Sequence, residues 1–173
     1  MRNATPASRA TGLRLAGSGP AYRDALCEML DGVELFSGLP WPEIETLSAY
    51  VTAHEADPGH VLFREGMPGD ALYVLIRGLV ETRKDDGTQH AAVIATESAG
   101  RSIGEMALID GEPRSASCVV AEASLLLALT RDNFQRLAER HPALALRVTL
   151  RIARLMSRRL RATSGRLVEF LDT

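Results

Sequence analysis

Apolar positions change their period twice along this chain. In residues 20–31 they recur at helical spacing, with Tyr22, Leu26 and Met29 or Leu30 on one face and Gly32 as a stop, which predicts a short amphipathic helix. A second helix is predicted from Trp41-Pro42 to about Ala53, with Ile44, Leu47 and Tyr50-Val51 facing inward. From His54 to Thr130 the pattern breaks into short β-like runs separated by glycines: Val61 to Phe63, Leu72 to Ile76, Leu79 to Arg83, Ala91 to Thr96, Ala116 to Val120 and Leu125 to Leu129. Asp86-Gly87 is a hairpin signal, and glycines 59, 66, 69, 78 and 87 suit turns. Runs spaced this evenly suggest a jelly roll or barrel.

Helical periodicity returns after Thr130. Asp132 is placed to cap a helix over residues 133–140, His141-Pro142 interrupts it, and a long helix follows from Pro142 to about Phe170. Its apolar stripe reads Leu144, Val148, Ile152, Leu155 or Met156, and Leu160, then breaks at Thr163-Ser164 and resumes at Leu167 and Leu171. That stripe is longer than one small roll can cover, so the distal half is expected to meet the same helix of a second copy in a two-fold homodimer. The resulting organisation is a flexible tail (1–19), N-terminal helices (20–53), a β-roll (54–130) and C-terminal helices that carry dimerisation (131–173).

A chain of 173 residues fits one domain with a sizeable core and no second full domain. A net charge of -2 argues against a generally basic nucleic-acid binder. There is no apolar run of about 18 residues to span a membrane and no signal-peptide core, so a cytoplasmic location is expected. The first twenty residues, with Arg2, Arg9 and Arg14 and no acid, would suit a transit peptide, with a disordered tail as the first reading. Cys27 and Cys118 form no Cys-x-x-Cys pair, and His54, His60, His90 and His141 fall in different elements, so neither a metal site nor a cofactor is expected. Seven arginines and no acid stand between residues 147 and 166, which would suit nucleic acid or an acidic partner; with 19 Arg and one Lys in the chain, a solvated helix face is the first reading.

Chemistry concentrates in residues 100–117. Gly104-Glu105-Met106-Ala107 runs on to Pro113-Arg114-Ser115-Ala116, which puts a carboxylate, a guanidinium and hydroxyls on one loop-helix-loop. A guanidinium presents a planar fork of donors that matches phosphate oxygens. Backbone N–H groups at a glycine turn and at a helix start also favour an anion. Arg114, Ser115 and the amides near Gly104 and Ala116 are therefore assigned to a phosphate, and Glu105 to a ribose hydroxyl.

The order Gly-Glu, a small apolar turn, then Pro-Arg-small-Ala-Ser resembles the phosphate-binding cassette of cyclic-nucleotide-binding domains, the family of catabolite activators, kinase regulatory subunits and nucleotide-gated channels. The likeness extends over roughly residues 33–171: Leu35-Phe36-Ser37-Gly38-Leu39, Pro58-Gly59, Phe63-Arg64-Glu65-Gly66, Pro68-Gly69-Asp70, Leu72-Tyr73-Val74 and Gly78-Leu79-Val80-Glu81 precede the cassette. Asp132-Asn133-Phe134, His141-Pro142 and Arg158-Arg159-Leu160 follow it in the same order. The resemblance implies a jelly-roll β-barrel with flanking helices, mainly β in class, and a non-enzymatic sensor that binds cyclic AMP between the roll and the long helix. It also implies that Thr163 and Ser164 read the base, one hydroxyl from each subunit of a dimer.

Three alternatives stay open. Ser115 follows the arginine as in guanine-preferring relatives, so cyclic GMP is the second candidate ligand. The chain ends at Thr173 soon after Phe170-Leu171-Asp172, where the resemblance places the start of a DNA-binding unit, so it reads either as the sensor part of a larger regulator or as a module acting through an effector protein without contacting DNA itself. A degenerate interaction domain is a third reading, which intact Glu105 and Arg114 disfavour. A cupin-type enzyme would need clustered His and carboxylate ligands that this chain does not present.

Overall fold

The computed structural model describes residues 12–85 and 91–171. Among them, seven strands form one antiparallel sheet with flanking helices. Strand β1 (Leu13–Gly17) leads through a 3-10 turn to α1 (Arg23–Asp31) and α2 (Trp41–Ser48). Strands β2 (Thr52–Ala56), β3 (Val61–Phe63), β4 (Ala71–Lys84), β5 (Ala92–Ser98) and β6 (Ser102–Ile103) follow. The short helix α3 (Glu105–Asp110) then precedes β7 (Ser117–Thr130), α4 (Arg131–Arg140) and α5 (Pro142–Leu171). The strand order is β1-β2-β7-β4-β5, with β3 paired to β7 and β6 to β4, so the roll is an open sheet rather than a closed barrel.

Side-chain alternation in the two longest strands divides the core. In β4, Leu72 and Val74 point into a cluster with α1, α2, α4 and α5, while Tyr73 and Leu75 point into a second cluster inside the roll. β7 repeats this, sending Leu127 and Leu129 one way and Leu126 and Ala128 the other. Because a strand places successive side chains on opposite faces, two adjacent strands build both cores at once. The helical side contains Leu26, Phe36, Leu47, Val148 and Ile152; the roll side contains Val80, Ile103, Cys118 and Val120 and opens towards α3.

Several elements differ from the sequence reading. Leu72 to Ile76 and Leu79 to Arg83 are not separate strands: Gly78, at φ +100, is a bulge inside one 14-residue strand, where a Cβ would press on Ala123 O at 2.6 Å. Ala116 to Val120 and Leu125 to Leu129 likewise join in β7. The end of the expected tail contains β1, which pairs with β2 and places Leu13 against the roll core. α2 stops at Ser48, and Thr52 and Ala53 are already in β2. Thr130, not Asp132, caps α4, its hydroxyl accepting from Asn133 N at 3.2 Å. Residues 1–11 of the tail and the Asp86-Gly87 hairpin lie outside the described residues.

Candidate functional site

The cassette is shaped by two glycines in the left-handed region. Gly104 (φ +76) enters α3 and Gly111 (φ +76) leaves it, which turns the chain sharply at each end of a six-residue helix. At Gly104 a Cβ would collide with Arg114 Nη1 and stand 3.3 Å from Ala71 O, so only glycine permits the guanidinium to pass so close to backbone. Gly69 serves the same packing from the other side rather than a positive-φ turn, since its Cβ would run into Ala107.

Arg114 is 4% exposed. Nη1 donates to Gly104 O at 2.9 Å and Nη2 to Ala71 O at 2.6 Å, while the guanidinium carbon lies 4.1 Å from the centre of the Phe63 ring. Asp70, largely exposed, is 3.7 Å away. Arg114 Nε is buried with no hydrogen-bond partner among the described residues. Burial draws the guanidinium's pKa below its usual value, with Asp70 opposing.

Glu105 opens α3 and is also 4% exposed. Its Oε1 accepts from Arg159 Nη1, and Arg159 Nη2 donates to Ser102 O at 2.8 Å. Glu105 Oε2 is buried without a partner among the described residues. Burial raises the carboxyl's pKa and the Arg159 charge opposes it. Glu105 and Arg114 line one cavity of about 400 Å³ together with Phe63, Ser102, Ile103 and Ser115.

Gly104, Glu105, Met106, Ala107, Arg114, Ser115 and Ala116 all border this cavity, so seven of the residues singled out from sequence are brought together. Ser115 is exposed, with its hydroxyl 4.0 Å from Met106 Sδ. Thr163 and Ser164 are not in the lining; both are exposed on α5, and Thr163 Oγ1 donates to Arg159 O at 3.0 Å. Arg159 was assigned to a solvated face and is instead the partner of Glu105; its place directly before Leu160 in the Arg-Arg-Leu run was the available signal. The neighbouring arginines are tied down too, Arg147 to Glu43 and Arg158 to Glu34. Thr82 and Glu97 also line the cavity, and periodicity gave no reason to select them.

Residues 53–141 match the family described as the cyclic nucleotide-binding domain. The chain belongs to that family. A cyclic nucleotide-binding domain from Methylobacillus flagellatus superposes with a TM-score of 0.78 at 32% identity, covering 91% of this chain and 88% of that one. The Cyclic AMP receptor protein of Thermus thermophilus is 33% identical over 76% of this chain, and a cAMP-dependent protein kinase regulatory subunit of Aspergillus fumigatus is 34% identical over 62% of it. The chain spans 59% of the first of these two relatives and 25% of the second. The sheet and its flanking helices match the jelly-roll fold of these domains, with the sheet left open. The family is a regulatory, non-catalytic one. Among the described residues no helix is long and apolar enough to cross a membrane.

Proposed function

We propose that this domain is a non-enzymatic cytoplasmic sensor of a 3′,5′-cyclic nucleotide, with cyclic AMP as the ligand. The observation that carries the reading is the meeting, in one cavity, of two buried opposite charges that each retain an unpartnered polar atom, Glu105 Oε2 and Arg114 Nε. Buried polar groups are nearly always paired, so two orphans of complementary chemistry in one site mark places for ligand atoms. Glu105 would accept from the ribose 2′-hydroxyl. Arg114 would exchange its two neutral carbonyl acceptors for charged phosphate oxygens, which bind a guanidinium more strongly. Gly104, Ala107, Ser115 and Ala116 supply the rest of the anion shell, and Met106 an apolar edge.

Binding would draw the cassette against α5, because Arg159 already links the two, and ligand would favour the state in which they are closest. The output passes to an effector protein or an attached unit through α5; direct DNA contact by these residues is not part of the proposal. Distal α5 supports a homodimer, since Leu160 is 69% exposed at the end of an otherwise buried stripe. In that dimer Thr163 and Ser164 would reach the base across the seam. The position of the Ser115 hydroxyl beside the cavity supports cyclic GMP as the second ligand.

Titration calorimetry with cyclic AMP, cyclic GMP and linear 5′-AMP tests the reading. Micromolar or tighter binding of a cyclic nucleotide, with 5′-AMP much weaker, is expected. No heat from either cyclic nucleotide at millimolar concentration would leave the module as an interaction domain.

A further inference from the structure

A second polar cavity lies along α5, away from Glu105 and Arg114. Arg147, Arg151, Arg154 and Arg158 are spaced by four, three and four residues, which aligns them on one helix face. Arg151, Arg154 and Arg158 face the turns that join α1 to α2, while Arg147 pairs with Glu43 of α2. Arg151 donates to Ser37 O, and Arg158 Nη2 pairs with Glu34 Oε1 at 2.9 Å. Arg101, just before β6, reaches Glu34 Oε2 at 4.0 Å. Arg154 has no acidic partner among the described residues.

Glu34, Leu35, Ser37, Arg151, Arg154 and Arg158 enclose about 230 Å³ with Leu155 as part of the floor. Three guanidiniums share that lining with one carboxylate, and Arg101 competes for the same carboxylate. Like charges at these helical spacings repel one another unless a counter-charge lies between them. Glu34 supplies only one, and its side chain is 57% exposed.

We propose that this notch is an anion site for a small diphosphate-bearing molecule, with Glu34 holding its place until the anion arrives. Guanidinium forks match phosphate oxygens two at a time, so Arg151, Arg154 and Arg158 can grip adjacent phosphates from one wall while the Ser37 turn forms the other. The enclosed volume suits a diphosphate group better than an extended peptide.

Calorimetry with inorganic pyrophosphate at fixed ionic strength, with and without saturating cyclic AMP, tests the site and tells an anion in the notch from one held at Arg114. Wild type is expected to bind one equivalent. Arg154→Gln, at an exposed position, should keep the melting temperature and weaken binding at least tenfold, whereas Glu34→Gln should tighten it several-fold by removing the competing carboxylate. Saturating cyclic AMP should leave pyrophosphate binding in the notch as it is without it. The proposal is overturned if wild type gives only heat of dilution, if Arg154→Gln binds unchanged, if Glu34→Gln binds no tighter, or if saturating cyclic AMP abolishes pyrophosphate binding and so assigns the anion to the nucleotide cavity.

Discussion

Arg159 donates to Glu105 and thereby ties the long helix to the start of the cassette, with Ser102 O as its second acceptor at 2.8 Å. This one guanidinium is the charge that faces Glu105. Burial pushes the Glu105 carboxyl above the usual 4.5, and Arg159 restrains the rise. The folded protein therefore takes up that proton more readily than the unfolded chain. The stabilisation this provides is complete below the unfolded value and is lost as pH rises through the folded one.

Glu105→Gln should consequently lose ligand affinity without losing the fold. Cyclic-nucleotide affinity of wild type is expected to be flat near neutrality and to fall as pH drops towards the raised Glu105 value, because the protonated carboxyl is a poorer acceptor and releases Arg159. In the Gln variant, affinity should be at least tenfold lower at neutral pH and should not change over that window. Calorimetry across the acid range checks both arms; a parallel pH profile in the variant would remove Glu105 from the ligand's hydroxyl.

Arg114→Lys tests two roles together. An ammonium keeps the charge but cannot span Gly104 O and Ala71 O, so one buried carbonyl is left without its donor. A loss of about 1–3 kcal/mol of stability is expected from that carbonyl. Loss of about 2–5 kcal/mol of nucleotide binding is expected from the missing fork. Denaturant melts and titrations of the same preparation separate the two. Unchanged affinity would show that the phosphate is held elsewhere.

Much of this site was legible because the cassette residues are close in sequence: Gly104, Glu105, Arg114 and Ser115 lie within twelve positions. Arg159 was not, because its role depends on a contact 54 residues away that helical periodicity does not encode. The split of β4 in the sequence reading failed for a related reason. A glycine between apolar runs signals a turn or a bulge equally, and only pairing with β7 makes Gly78 a bulge. Thr130 displaced Asp132 as the α4 cap because β7 delivers the chain to the helix two residues earlier than the polar pattern suggests.

Gly104→Ala should be among the costlier single-methyl additions in the chain. The backbone there is left-handed, and the added carbon would meet both Arg114 Nη1 and Ala71 O. Strain of about 1–3 kcal/mol is expected from the dihedral alone, with displacement of Arg114 added to it. A lower melting temperature with weakened nucleotide binding is the predicted pair. Gly165→Ala is the control, since it faces open space on α5 and should stabilise that helix by up to about 1 kcal/mol.

Leu160→Glu separates the dimer from the fold. Within one copy Leu160 is 69% exposed, so a charge there should leave the melt of an isolated subunit unchanged. In a helix-to-helix seam the same charge would be buried without a partner, which is strongly unfavourable. Sedimentation of wild type at tens of micromolar should show a dimer and that of the variant a monomer. Wild type sedimenting only as a monomer, with and without nucleotide, would contradict the seam.

The base-reading proposal rests on that same seam. Thr163 and Ser164 stand outside the cavity lining, and Thr163 returns its hydroxyl to Arg159 O, so within one copy neither is committed to a ligand. A second copy packed along α5 would bring these hydroxyls to the base held by its neighbour. Changing both to Ala should then cost about 1–3 kcal/mol of cyclic AMP binding, the scale for hydrogen-bonding groups left unpaired. Glu105 and Arg114 are untouched in this variant, so the ribose-phosphate affinity common to both nucleotides should remain and the preference between cyclic AMP and cyclic GMP should shrink. Leu160→Glu should produce the same loss of preference by a different route, since it removes the neighbouring copy. If the double Ala variant keeps both affinities and their ratio, the hydroxyls are surface groups and the base is read within one subunit, where Ser115, Thr82 and Glu97 line the cavity.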